Sequence, residues 1–402
     1  MTAPLPLEGV RIVDMSWMWA GPYATLQLAH LGAEVIRIET HQRPCMNRRV
    51  PPYAGEPGLN RGGSFNQWNQ GKRSVLLDLK RPEGVELARE LAAASDVFVE
   101  NYSVGVVDRL GLGWEALSAL NSRLVMISLS GYGLTGPYRD RVAFGGPLTM
   151  ISGLASLTGY EGHGPSEVGL SYGDPNAALH GAFAIMAALW QREESGAGQH
   201  IDLSQWESLI AILPEGVMAQ TLRGDVPARQ GNHDVLMSPH GLFPCAGEDR
   251  WLSIAVRDDA EWDRLAGLIG DDALEERYAS AAGRKQHEAD LDAMLGAWTQ
   301  PQDRWAVAEQ LQALGIAAVP VFDMADVGDD PHMNERGFFV ELEHAEIGRM
   351  KHAGIPWQLH GTPLQIERAA PCMGEDNAYV VQELLGRSEM EFQRLLDEGV
   401  LY

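Results

Sequence analysis

The sequence predicts an α/β protein: a doubly wound parallel sheet in a large domain, with a smaller α+β domain beside it. Three observations carry this expectation. Compact apolar runs recur through the first 130 residues, and helix-patterned segments separate them. Strands joined through helices run parallel, because each crossover brings the chain back in the same direction. The texture changes after Arg223-Gly224-Asp225, and 402 residues at 45% hydrophobic exceed what a single core usually serves.

The elements follow in order. Gly9 to Asp14 reads as a first strand, Pro22 to Leu31 as a helix stopped by Gly32, and Ala33 to Glu39 as a second strand. Ser74 to Leu79 is a third strand. Pro82 to Ala94 is a helix with proline in its first turn, where no amide hydrogen is needed. Asp96 to Glu100 and Arg123 to Leu129 are the fourth and fifth strands. Helices are expected near 147–158 and 176–193, a short strand at 200–203, and a further helix from Gln205. The segment 226–325, with a strand from Trp251 to Val256, is the smaller unit. Short strands and a final pair of helices follow from about 335. Thr40 to Gly71 is a long loop rich in Pro, Gly, Arg and Asn, and loops of that length are often functional. In such sheets ligands bind at the carboxyl ends of the strands.

A net charge of −24 argues against nucleic acid and anionic membranes as partners. Against that background, residues 37–81 hold nine basic and three acidic residues, a local +6 that points to an anionic ligand. The three cysteines, Cys45, Cys245 and Cys372, are far apart, which fits a reducing cytoplasm. The opening residues lack a basic stretch followed by an apolar run, so no secretory leader is read. The longest apolar run, Ala177 to Trp190, is too short for a membrane span. The histidines show no paired metal spacing, and no metal is expected.

Two motifs mislead. Gly131 to Gly136 fits G-x-G-x-x-G after a strand, but Pro137-Tyr138-Arg139 opens a helix poorly, so a glycine turn is the better reading. Gly169 to Gly173 fits G-x-S-x-G, but a loop-like stretch precedes it and the helix is expected only after Asp174. Asp174-Pro175 itself reads as a helix start, with Asp174 as N-cap. A carboxylate at the positive end of a helix is expected to stay ionised, at or below its usual pKa of about 3.9. An ionised carboxylate near a thioester carbonyl can also attack it, so capping and nucleophilic roles both stand. The helix 176–193 is apolar nearly all round, which predicts burial and rigid support for Asp174.

Taken together, residues 7–39, 69–84 ("NQGKRSVLLDLKRPEG"), 96–117, 127–141, 172–189 ("YGDPNAALHGAFAIMAAL") and 198–208 resemble the class III coenzyme A transferases. This is the family of formyl-CoA transferase and the carnitine and bile-acid CoA-transferases. The resemblance runs in order over most of the chain. It implies a large domain built from both chain ends (1–225 and 326–402), a small domain at 226–325, and two subunits threaded like linked rings. It implies Asp174 as the nucleophile, forming a mixed anhydride and then an enzyme–CoA thioester. It further implies Leu77, Lys80, Asn101, Tyr102, Arg109 and Arg141 as CoA contacts, and acyl-CoA and carboxylic acid as substrates. No permanently bound cofactor is implied, and the partner is a second copy or a homologous subunit. Thr40 stands where formyl-CoA transferase has an arginine, with Arg43 the candidate substitute. The texture around Asp174 suggests succinate-type acids, as in the benzylsuccinate branch, with succinyl-CoA as donor. Two alternatives remain. One is an acyl-CoA racemase or isomerase of the same superfamily, disfavoured because Ala143-Phe144-Gly145 stands where its histidine would be. The other is a non-catalytic subunit of a hetero-oligomeric transferase.

Overall fold

The computed structural model describes residues 4–270 and 273–402. The first three residues, part of the stretch read for a leader, lie outside them. The described chain forms two compact units. One takes in the residues up to Ala155 together with Glu167–Val226 and Glu335–Tyr402. The other takes in Ser156–Ser166 and Pro227–Asn334.

In chain order the first unit begins with β1 (Arg11–Met15), α1 (Ala20–His30), β2 (Glu34–Glu39), α2 (Gly63–Trp68), β3 (Arg73–Leu76), α3 (Pro82–Ala93) and β4 (Val97–Glu100). It continues with α4 (Val106–Arg109), α5 (Trp114–Leu120), β5 (Val125–Ser130) and α6 (Gly145–Ile151), and the short α7 (Leu154–Leu157) spans the boundary at Ala155. Then come α8 (Gly173–Ser195), β6 (Gln199–Ser204), α9 (Gln205–Ile210) and α10 (Pro214–Arg223). The six strands form one sheet in the order β3-β2-β1-β4-β5-β6. Every pairing is parallel, with Ile12 opposite Val35 on one side of β1 and Val97 on the other. The order reverses between β1 and β4, which opens a crevice at their carboxyl ends.

Alternation along each strand divides the core in two. Val13, Ile36, Val75, Phe98 and Met126 meet Leu87 and Leu91 of α3 on one face. Ile12, Val35, Val99 and Ile127 meet Ala182, Ile185 and Leu189 of α8 on the other. Such doubly covered strands read as continuous apolar runs, which is why they were legible. Gly32, at φ +100°, ends α1 where expected. The C-terminal segment closes the β3 edge. Asp376 accepts the Ser74 amide at 2.9 Å, Asn377 accepts that of Leu76 at 2.8 Å, and Leu77 bridges to Leu401. Val380, Val381 and Leu395 join the same core, so the last residues complete the sheet's outer layer.

The basic stretch 37–81 departs from its expected role. Arg37, Arg48 and Lys72 are fully buried. Lys72 Nζ lies 3.0 Å from Asp14 Oδ2 and 2.8 Å from the Pro22 carbonyl, and Arg48 Nη2 lies 2.7 Å from Glu39 Oε2. Burial alone would raise the Asp14 carboxyl, yet the Lys72 and Arg37 charges hold it well below the usual range. Three of the nine cations therefore knit β1, β2 and β3 together and do not face a ligand.

The second unit holds a three-stranded antiparallel sheet, β7 (His240–Pro244), β8 (Trp251–Ala255) and β9 (Ala317–Pro320). Its helices α11 (Asp259–Ile269), α13 (Glu288–Thr299) and α14 (Arg304–Ala313), with the short α12 (Ala281–Gln286) between the first two, pack on it around Trp262 and Leu291. Among the described residues no helix is long and apolar enough to cross a membrane.

Candidate active site

Helix α8 begins at Gly173, earlier than the sequence suggests. Tyr172 occupies the N-cap position with no side-chain cap, and Asp174 is the second helical residue. The capping role expected of Asp174 is therefore corrected. Its carboxyl meets no hydrogen bond or ion pair among the described residues, and burial alone pushes its pKa up to about 6. This reverses the expected shift. Loss of water outweighs the partial positive charge of the helix end. The result is a desolvated carboxylate, ionised at neutral pH and without a partner to quench it.

Gly145 forms the wall beside it. A β-carbon at Gly145 would overlap Oδ2 of Asp174, and one at Gly173 would stand 3.2 Å from the Gly145 carbonyl. The Thr149 hydroxyl donates to that carbonyl at 2.9 Å and fixes the turn. Gly145 thus borders the carboxylate, and the stretch 143–145 brings no imidazole. The G-x-S-x-G match has no strand leading into Ser171, and 131–144 opens no helix. Asp202 instead holds the glycine turn, accepting from the Leu134 amide at 2.9 Å.

At the carboxyl ends of β1 to β4 lies an open cavity of about 430 Å³, lined by Trp17, Glu39, Gln42, Arg43, Leu77, Lys80 and Tyr102 among others. Three of the expected CoA contacts, Leu77, Lys80 and Tyr102, come together here. Asn101 does not line it. Its amide grips the Trp17 backbone, accepting from the nitrogen at 2.7 Å and donating to the oxygen at 2.8 Å, and so ties β4 to β1 across the crevice. Arg109 ends α4, exposed, one residue before the cavity-lining Leu110. Arg141 lies 3.7 Å over the Tyr138 ring in the loop after β5. Neither Arg109, Arg141 nor Asp174 lines this cavity.

Two residues escaped the sequence reading: Trp17 and Gln42. Trp17 directly follows β1, where the strand-end rule looks for ligand contacts, so a signal existed. Gly145 was noted only for the histidine it replaces, and nothing local placed it beside Asp174, 29 positions away. Helix α8 also departs from expectation. Leu179, Phe183 and Trp190 are 50%, 70% and 76% exposed, so only one side of this apolar helix is covered.

Comparison with known proteins adds the following. The family model described as "CoA-transferase family III" matches residues 7–377. The succinyl-CoA–D-citramalate CoA-transferase of Chloroflexus aurantiacus is 32% identical over 99% of this chain and 98% of its own. The beta subunit of succinyl-CoA–L-malate CoA-transferase from the same organism is also 32% identical, over 100% and 99%. Among solved structures, a CaiB/BaiF family protein from Brucella suis superposes with a TM-score of 0.89 at 30% identity, covering 95% of this chain and all of the other.

Proposed function

This chain belongs to CoA-transferase family III, and on that footing we propose that it moves CoA from an acyl-CoA donor to a carboxylic acid, with Asp174 as nucleophile. The single observation that carries the proposal is the half-buried, largely desolvated Asp174 carboxylate, without a side-chain partner among the described residues, beside Gly145. A desolvated carboxylate is a stronger nucleophile than a hydrated one, and glycine leaves room for a thioester to approach.

The steps balance without an external reagent. An Asp174 oxygen attacks the donor thioester carbonyl, the C–S bond breaks, and CoA leaves as thiolate from a mixed anhydride. The thiolate attacks the Asp174 carbonyl, which releases the donor acid and leaves CoA as a thioester on Asp174. The acceptor carboxylate attacks that thioester and forms a second anhydride, again freeing thiolate. Attack of the thiolate on the acceptor's acyl carbon yields the new acyl-CoA and restores Asp174. Each step exchanges one activated acyl bond for another, so the overall exchange is close to neutral in free energy.

The strand-end cavity, with Leu77, Lys80 and Tyr102 on its walls, is the proposed seat of CoA. Asn101 acts through Trp17, and Arg109 and Arg141 supply charge nearby. Relatives named for succinyl-CoA support a succinyl donor for this chain as well. The racemase alternative is not favoured, since the relatives named above are CoA-transferases and glycine borders Asp174. The uncovered stripe on α8 supports a dimer, with a second copy or a homologous subunit such as the named beta subunit of the malate enzyme. The test is direct. The purified protein is incubated with succinyl-CoA and a panel of acids, and quenched samples are examined by mass spectrometry. A CoA adduct on the peptide holding Asp174 is expected. Turnover with the adduct elsewhere, or with none, would sink the assignment.

A further inference from the structure

We propose that Arg43, seated over Trp17 in the strand-end cavity, recognises the phosphate on the ribose of CoA and so distinguishes CoA from its 3′-dephospho form. The inference rests on the assignment of that cavity to CoA.

Charge comes first. Four lining residues carry charge: Glu39, Arg43, Asp78 and Lys80. Glu39 is buried and closed off by Arg48 and Arg37. Asp78 is also buried; it accepts from Gln42 at 3.0 Å and from the Lys80 amide at 3.0 Å, with Arg81 3.8 Å away. Arg43 and Lys80 are exposed, and among the described residues neither has a carboxylate within ion-pair distance. The uncompensated charge in the cavity is therefore positive, inside a chain of net charge −24.

Shape separates the two cations. The Arg43 guanidinium carbon lies 4.7 Å from the centroid of the Trp17 ring. That contact restrains a long side chain while leaving the guanidinium N–H edge available. A planar fork matches two oxygens of a phosphate monoester, whereas a lysine ammonium acts as a point charge. Arg43 is thus preorganised for a terminal phosphate, and Lys80 suits the less demanding diphosphate.

Position agrees. Arg43 follows β2 by four residues, in a sheet whose order reverses between β1 and β4. In sheets of this topology the end of the second strand meets the ribose of the nucleotide. An acidic residue there reads free hydroxyls, and an arginine reads a ribose phosphate. Here the acid at the strand end, Glu39, is engaged by two arginines, and Arg43 is the charged group that follows β2 and faces the cavity.

The experiment measures binding of CoA and of 3′-dephospho-CoA by calorimetry, and transfer from both succinyl thioesters, for the wild type, Arg43→Gln, Arg43→Lys and Trp17→Leu. Wild type is expected to prefer CoA. Arg43→Gln is expected to weaken CoA binding about 10- to 100-fold, as for loss of a charge-assisted hydrogen-bond pair. It should leave 3′-dephospho-CoA unchanged within about twofold, so that the preference collapses. Arg43→Lys should restore part of it, and Trp17→Leu should fall between. Equal weakening of both ligands by Arg43→Gln, or equal affinities in the wild type, would overturn the inference while leaving CoA transfer intact. A wild type that binds neither ligand and transfers no CoA would remove the functional assignment as well. Arg43 is exposed, so thermal melts are expected to show the variants folded.

Discussion

Gly145 lies so close to Asp174 that a single methyl group on its α-carbon would occupy the space of the carboxylate oxygen Oδ2. The two residues come from different helices, α6 and α8, and together they shape the space around the proposed nucleophile.

Gly145→Ala should therefore displace the carboxylate. Misplacement by about 1 Å is enough to cost on the order of 100-fold in kcat. Steady-state kinetics should show that loss, with a thermal midpoint close to wild type. A variant with full activity would mean that Asp174 is not confined as described.

The pH dependence follows from burial of Asp174. Its pKa is pushed up to about 6, and only the ionised form attacks. kcat/KM should fall as pH drops through about 6, in proportion to the ionised fraction. A profile flat down to pH 4.5 would contradict a desolvated nucleophile.

Asp174→Asn should abolish transfer and yet stabilise the fold. The folded carboxyl titrates above its unfolded value of 3.8, so ionisation costs the native state stability. That cost is absent below about pH 4, grows between the two pKa values, and is complete above about pH 6. Allowing for partial solvation, the variant should gain on the order of 1–2 kcal/mol at pH 7 and nothing at pH 4. Denaturant melts at the two pH values measure the difference.

Asn101→Ala removes both side-chain bonds to the Trp17 backbone. The expected loss of stability is about 1–3 kcal/mol. KM for acyl-CoA should rise more than kcat falls, because Trp17 shapes the cavity and stands apart from the Asp174 wall. Parallel losses in both constants would argue against a positioning role.

Phe183→Glu with Trp190→Glu places charge on the uncovered stripe of α8. If that stripe is the subunit contact, light scattering should find a smaller species than in the wild type. An unchanged mass would exclude this face from the interface.

Strands β1 to β5, with α1 and α3 between them, were legible because those strands are buried almost throughout and so are written as largely apolar runs. The strand order was not legible, nor were α2 in the stretch read as a loop and α4 and α5 before β5. Asp174 stood out in the sequence as a candidate nucleophile through its neighbours. Its chemistry was not. The pattern of aspartate, proline and apolar helix reads as a cap with a lowered pKa, and it takes three-dimensional burial to reverse that shift. The positive charge of residues 37–81 was likewise visible as a total but not by destination. Arg37, Arg48 and Lys72 turn inward to Asp14 and Glu39, and Arg43 and Lys80 remain outward. Local sequence determined what forms a strand or a helix, since backbone propensity and periodicity act over a few residues. Tertiary structure decided which charges are neutralised, which glycine borders Asp174 and which face of α8 is left uncovered. Solvation and packing depend on neighbours brought from tens to hundreds of residues away.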